Sequence, residues 1–123
     1  MKKKVLIIDD HAEIREMYEA VLRLKDYDVC SEPDGLRGAM RAAEFKPDVI
    51  LLDLMMPKMD GFTVLDALKN NHAISCKTIV VSNLSNQQEE ERALKSGADK
   101  FLRKSDYTPN QIAEEVQKVL ETT

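Results

Sequence analysis

No apolar stretch in this sequence approaches the roughly 20 residues needed to cross a bilayer. Lys2, Lys3 and Lys4 precede Val5-Leu6-Ile7-Ile8 as the start of a secretory leader would. Four apolar residues closed by Asp9-Asp10 are far too short for a leader's apolar core, so that reading is rejected. Cysteine is scarce: Cys30 and Cys76 lack metal-ligand spacing and form no disulfide framework, and they read as reduced thiols of a cytoplasmic protein. His11 and His72 are far apart in the chain and show no partner spacing for zinc. There is no glycine-rich phosphate loop, which disfavours nucleotide binding. Beyond Lys2–Lys4 the basic residues are scattered, and a net charge of −4 is too mild to suggest a nucleic-acid binder. Internal repeats, low-complexity segments and linkers are also missing.

What is present is a regular alternation. With 123 residues, 43% of them apolar, the chain suffices for one core and one domain, residues 1–123, and is not disordered. Val5–Ile8 reads as a strand, and Ile14, Met17, Tyr18, Val21 and Leu22 recur at helical spacing over Ala12–Leu24. Tyr27–Cys30 is a weaker strand candidate. Leu36, Ala39, Met40 and Ala43 mark one face of a helix over Leu36–Phe45, which Pro47 stops. Val49–Leu52 is a second apolar strand, followed by a helix over Phe62–Asn70 with Phe62, Leu65 and Leu68 inward. Thr78–Val81 is a third. Ser85 and Gln88 read as a capping box opening a fourth helix that Gly97 closes. Phe101-Leu102 is a short strand leading to Lys104. Thr108, Pro109 and Gln111 open the last helix, which packs Ile112, Val116, Val119 and Leu120.

Five strand–helix pairs in alternation imply a parallel sheet covered on both faces. The runs at Val5, Val49 and Thr78 are continuously apolar, as strands buried on both faces must be, whereas those at Tyr27 and Lys100 are mixed, as edge strands are. The expected strand order is therefore 2-1-3-4-5, an α/β, flavodoxin-like doubly wound (βα)5 arrangement with right-handed crossovers.

Polar residues gather just past the apolar runs: Asp9-Asp10, Asp53, Ser82 and Lys104. In a parallel sheet these share one edge, and ligands of such folds bind there at the point where strand order reverses. Each has a plain explanation: Asp9 and Asp10 as helix caps, Ser82 as a turn residue, Lys104 as a solvated lysine. Together those explanations weaken, because capping does not require three carboxylates to face one another and like charges repel unless compensated. A hard divalent cation would compensate, since magnesium takes oxygen ligands from one or two carboxylates plus phosphate oxygens and water. Asp9 and Asp10 then fit as anchors and Asp53 as a nucleophile forming an aspartyl phosphate. The metal, Lys104 and Ser82 would each meet one phosphoryl oxygen.

These motifs resemble the receiver domain of bacterial response regulators: Val5-Leu-Ile-Ile-Asp-Asp10, Asp53-Leu-Met-Met-Pro-Lys-Met-Asp-Gly61, Ser82, Gly97-Ala98 and Phe101-Leu-Arg-Lys104. The likeness spans essentially the whole chain and suits the stand-alone, chemotaxis-type receivers. It implies that Asp53 accepts a phosphoryl group from a histidine kinase or phosphotransfer protein. Asp9, Asp10, Asp53 and the Met55 backbone carbonyl would hold Mg2+, with Mn2+ as a substitute. Ser82 and Lys104 would bind the phosphoryl group, and Ser82 with Phe101 would form the switch. It further implies a cytoplasmic phosphoprotein without nucleic-acid or membrane contact, monomeric or dimerising on phosphorylation, that signals through its last two strand–helix units. Catalysis would be confined to self-phosphorylation and slow autodephosphorylation.

Two positions depart from the family pattern. Ser105 follows Lys104 where proline is usual, so the loop carrying Lys104 is expected to be arranged differently. Asn83 replaces a small residue. Met55 and Leu84 are apolar and offer the hydrolysing water no hydrogen bond, hence the slow dephosphorylation. Two other functions compete. A phosphatase with an aspartyl-phosphate intermediate commonly carries a second acid two residues after the nucleophile, where this chain has Met55. A degenerate interaction module would not need the complete set Asp9, Asp10, Asp53, Ser82 and Lys104.

Overall fold

A computed structural model describes residues 2–56, 60–83 and 86–121. The elements, in chain order, are β1 (Lys4–Ile8), α1 (Ala12–Leu24), β2 (Asp28–Glu32), α2 (Gly35–Phe45), β3 (Val49–Leu52), α3 (Gly61–Asn70), β4 (Lys77–Ser82), α4 (Gln87–Lys95), β5 (Lys100–Arg103) and α5 (Pro109–Glu121), with a 3-10 turn at Lys104–Asp106. All pairings are parallel and the strand order is 2-1-3-4-5, as the apolar runs imply.

Alternation along each strand divides the core in two. Val5, Ile7, Val49, Leu51, Ile79, Val81 and Leu102 meet Tyr18 and Leu22 of α1 and Ile112, Val116 and Val119 of α5. On the opposite face Leu6, Ile8, Ile50, Leu52 and Val80 meet Ala42 of α2, Phe62, Leu65 and Leu68 of α3, and Ala93 of α4. Val5, Leu6, Ile8, Val49, Ile50 and Leu52 are entirely buried, which accounts for their unbroken apolar character.

The helix ends show local chemistry at work. Thr108 and Gln111 form the expected capping box, with the Thr108 N–H donating to Gln111 Oε1 at 2.8 Å and the Gln111 N–H to Thr108 Oγ1 at 3.2 Å. Gly97, at φ 108°, closes α4: its N–H donates to the Leu94 carbonyl and that of Ala98 to the Ala93 carbonyl. This paired 5→2 and 6→1 pattern needs a left-handed residue, which glycine supplies without strain.

Three expectations are corrected. Tyr27 does not begin β2. Asp26 takes the left-handed conformation at φ 68°, and the Tyr27 N–H donates to the Leu22 carbonyl at 3.2 Å, so Tyr27 completes the end of α1. The cap of α4 is Asn86, whose side chain accepts the Glu89 N–H at 2.8 Å; Ser85 lies outside the described residues. The inward face of α2 is also not the one its large apolar residues suggest. Leu36 and Met40 are 64% and 60% exposed and Ala43 is exposed, while Gly35, Gly38 and Ala42 are buried. A Cβ at Gly38 would lie 2.5 Å from Ile8 Cδ1, so α2 approaches the sheet more closely than a side chain permits.

Neighbouring helices differ in how firmly they are held. α3 buries Gly61, Phe62, Val64, Leu65 and Leu68, whereas α4 buries Ala93 alone. Leu94 is 44% exposed. The Arg92 guanidinium stacks 4.0 Å from the centroid of the Phe62 ring, a cation–π contact joining α4 to α3.

Candidate functional site

The site lies at the carboxyl edge of the sheet, across β1 and β3, where strand order reverses. Asp9 follows β1 and is 2% exposed; its N–H donates to the Glu32 carbonyl at 3.2 Å, and its carbonyl accepts Arg15 Nη1 at 2.7 Å. Asp53 follows β3 and is 3% exposed, with its N–H donating to the Ile8 carbonyl at 3.0 Å. The backbone thus fixes both carboxylates beside one another.

Lys104 joins them from the 3-10 turn that follows β5. Its Nζ donates to Asp9 Oδ2 at 2.8 Å and to Asp53 Oδ2 at 3.2 Å, with only 8% of the side chain exposed. The 3-10 turn beginning at Lys104 carries the ammonium inward with Ser105 in place and no cis peptide among the described residues. The remaining oxygens are held locally. Asp53 Oδ1 accepts the Met55 N–H at 2.9 Å, and Asp9 Oδ1 accepts the His11 N–H at 2.9 Å.

The electrostatics follow from two buried carboxylates sharing one buried ammonium. Burial pushes the Asp53 carboxyl up, as does the Asp9 charge, and the Met55 N–H and Lys104 offset this only in part. Burial pushes the Lys104 ammonium down, but the hydrogen bond to Asp9 and the charges of Asp53 and Asp9 outweigh it, leaving its pKa raised. Lys104 therefore remains a cation at any physiological pH.

The structure brings Asp9, Asp10, Asp53 and Lys104 together. Ser82, fully buried, ends β4 on the same edge and pairs in register with Arg103. Phe101 pairs with Val80, two residues before Ser82, and packs half-buried against the α2–α3–α4 core. Ser82 and Phe101 consequently occupy one face of the sheet, the face beneath α4. Met55 is in the turn after Asp53, fixed by its N–H, with its side chain 52% exposed. Leu84 and the Pro57–Met59 part of the Asp53–Gly61 motif lie outside the described residues.

Sequence reasoning missed His11. Its Nδ1 lies 3.2 Å from Asp9 Oδ1 and 3.1 Å from Asp10 Oδ1. One ligand atom from each of Asp9, Asp10, His11 and Asp53 falls within 4.8 Å of the others. Asp10 Oδ1 is buried without a hydrogen bond of acceptable geometry; the His11 ring stands at ion-pair distance from it but does not satisfy it. The clue was adjacency to the acid pair, which a search for histidine–histidine spacing does not test. Arg15, whose guanidinium secures the Asp9 carbonyl, gave no signal beyond lying one turn into α1.

Comparison with known proteins shows the family. The family model for the response regulator receiver domain matches residues 5–117. The chain is 35% identical to the chemotaxis protein CheY of Thermotoga maritima over 122 residues, covering 97% of this chain and 98% of that protein. It is 36% identical over 102 residues to the DNA-binding dual master transcriptional regulator RpaA of Synechocystis, covering 82% of this chain but 42% of RpaA. It spans just under half of the two ycf27 regulators it also matches. Among solved structures, CheY4 of Vibrio cholerae superposes with a TM-score of 0.89 at 26% identity, over 97% of this chain and 99% of that one. The BeF3-activated receiver domain of Klebsiella pneumoniae RstA gives 0.88 at 27%, over 98% and 100%. The chain belongs to the response regulator receiver domain family of two-component signalling systems.

Proposed function

We propose that this receiver accepts a phosphoryl group on Asp53 from the phosphohistidine of a sensor kinase or phosphotransfer protein, and passes the change to a partner through β4–α4 and β5–α5. The observation that carries the reading is the buried Asp53 carboxylate, with one oxygen on the Met55 N–H and the other shared with Asp9 through Lys104. That arrangement aims a nucleophile and keeps a cation within reach of whatever it attacks.

Asp9, Asp10 and Asp53, with the Met55 carbonyl, are the residues that would hold magnesium, and the unsatisfied Asp10 Oδ1 fits a hard cation. Magnesium, or manganese in its place, would neutralise charge on the phosphoryl oxygens. An Asp53 oxygen forms the new bond to phosphorus as the phosphorus–nitrogen bond to the donor histidine breaks, and the electron pair leaves on the imidazole. Lys104 exchanges Asp53 Oδ2 for a phosphoryl oxygen, and Ser82 donates its hydroxyl to another.

Driving the switch from 1:99 to 99:1 takes about 5.5 kcal/mol of differential interaction. A single hydrogen bond to a charged group supplies about 1.5–3 kcal/mol, so Lys104 and Ser82 must act together. Ser82 moving toward the phosphoryl group vacates space on the face that Phe101 shares. α4, held by Ala93 and the Arg92–Phe62 stack, is the element with least apolar burial to restrain it.

Intact-mass measurement after incubation with a small acyl phosphate and Mg2+ tests the reading. A phosphoryl adduct on the wild type, absent from Asp53→Ala, is expected; no adduct would overturn it. With an apolar, half-exposed Met55 beside the acyl phosphate, dephosphorylation is slow, and a phospho-Asp53 half-life of only seconds would refute this. No turnover of other phosphate esters is expected.

A further inference from the structure

We propose that His11 is a metal ligand of this site, and that its imidazole turns an all-oxygen magnesium centre into one that prefers borderline transition metals. The proposal rests on the reading that Asp9, Asp10 and Asp53 take a divalent cation. His11 Nδ1 stands 3.2 Å from Asp9 Oδ1 and 3.1 Å from Asp10 Oδ1. Ligands held about 2.1 Å from an octahedral cation lie about 3.0 Å from their neighbours and about 4.2 Å from the opposite ligand. The two short separations match neighbouring positions, and the 4.8 Å spread of the four-residue cluster leaves room for one cation within it.

A plainer arrangement is a ring N–H donating to Asp9, which the 3.2 Å contact also allows. It leaves Asp10 Oδ1 buried and unsatisfied although Nδ1 is only 3.1 Å away. A cation between Nδ1 and the two carboxylates satisfies all three groups. The ring is positioned for this by the backbone, because the His11 N–H is fixed on Asp9 Oδ1 at 2.9 Å. Its side chain is 59% exposed, which leaves it room for the small rotation needed to point the nitrogen lone pair inward.

The consequence is selectivity. Carboxylate and carbonyl oxygens suit magnesium and manganese, whereas an imidazole nitrogen favours nickel, zinc and similar ions, in the order of the first-row series. With His11 bound, nickel and zinc gain far more than magnesium does.

The test uses the full chain. Calorimetric titrations with Ni2+ and Mg2+ compare the wild type with His11→Ala, and 15N-detected imidazole spectra are recorded with and without Zn2+, with His72 as internal control. The Ni2+/Mg2+ affinity ratio is expected to fall by at least about tenfold in the variant while Mg2+ affinity is little changed. Zn2+ is expected to shift the His11 Nδ1 resonance and leave His72 alone. An unchanged ratio with an unshifted Nδ1, in a protein that still binds Mg2+, overturns this proposal alone. Ni2+ binding that survives Asp10→Asn at full strength shows that Asp10 does not share the metal with His11 and also overturns it. Failure of the wild type to bind any of the three ions overturns both the proposal and the metal-site reading beneath it.

Discussion

At the amino end of the sheet, Asp48 Oδ2 accepts the Lys4 N–H and Asp99 Oδ2 accepts the Thr78 N–H, each at 2.8 Å. At the carboxyl end, Asp9 and Asp53 direct their Oδ2 atoms at a single lysine. Residue types are the same at both ends, and strand polarity makes the difference. Parallel strands present free N–H groups where they begin and free carbonyls where they end. A carboxylate at the beginning is consumed by backbone donors. One at the end keeps a single oxygen on a local N–H, as Asp9 does with His11 and Asp53 with Met55, and turns the other to a cation. The acids of one end hold the fold together, while those of the other strain it and remain available for chemistry.

The sharpest test of that contrast is Lys104→Ala. Removing the ammonium leaves two buried carboxylates uncompensated, and breaking a buried pair in this way costs about 3–5 kcal/mol. Urea unfolding in the presence of a chelator should show that loss, and magnesium should restore part of it. A cost no larger than that of a surface pair would break the comparison. Asp99→Ala comes next: it strands the Thr78 N–H, for an expected loss of about 1–3 kcal/mol. Phosphoryl-adduct formation by this variant should be unchanged, and a loss of labelling in the still-folded protein would show that the two ends are not independent.

The smallest expected effect has the opposite sign. The Asp53 carboxyl has a raised pKa in the folded state, chiefly through burial. Its ionised form is therefore disfavoured by folding, a penalty present above the folded pKa and absent below the ordinary value of 3.8. Asp53→Asn should raise the urea midpoint at pH 7, with the gain vanishing toward pH 3. A variant less stable than wild type at pH 7 would mean that the Lys104 contact outweighs the burial cost.

Much of this molecule was legible from its sequence because its strands are buried on both faces. Val49–Leu52 was read to the residue, and so was α1, whose Tyr18 and Leu22 mark the inward stripe. Asp53 and Lys104 were legible as strand ends, since parallel topology alone brings strand ends together. What escaped depended on shape rather than hydropathy. The α2 face was misread because Gly38 packs inward through having no side chain, leaving Leu36 and Met40 outside. Asn86 displaced Ser85 as a cap because either residue type fills that role. His11 escaped because its partners are the acids immediately before it, and spacing rules for histidine look elsewhere in the chain.

Gly61 opens α3 so close to the turn after Asp53 that a Cβ there would sit 2.3 Å from Leu54 Cα. Its N–H is also bonded to the Leu54 carbonyl at 3.2 Å. A vise grips only if one jaw is bolted down. Here the bolted jaw is the nucleophile's turn clamped to the best-buried helix beside it. The travelling jaw is Lys104 on its short 3-10 turn and Ser82 ahead of the lightly held α4. In the proposed switch the grip closes on a phosphoryl group and the recoil goes toward α4, and a single absent methyl group helps to set its direction.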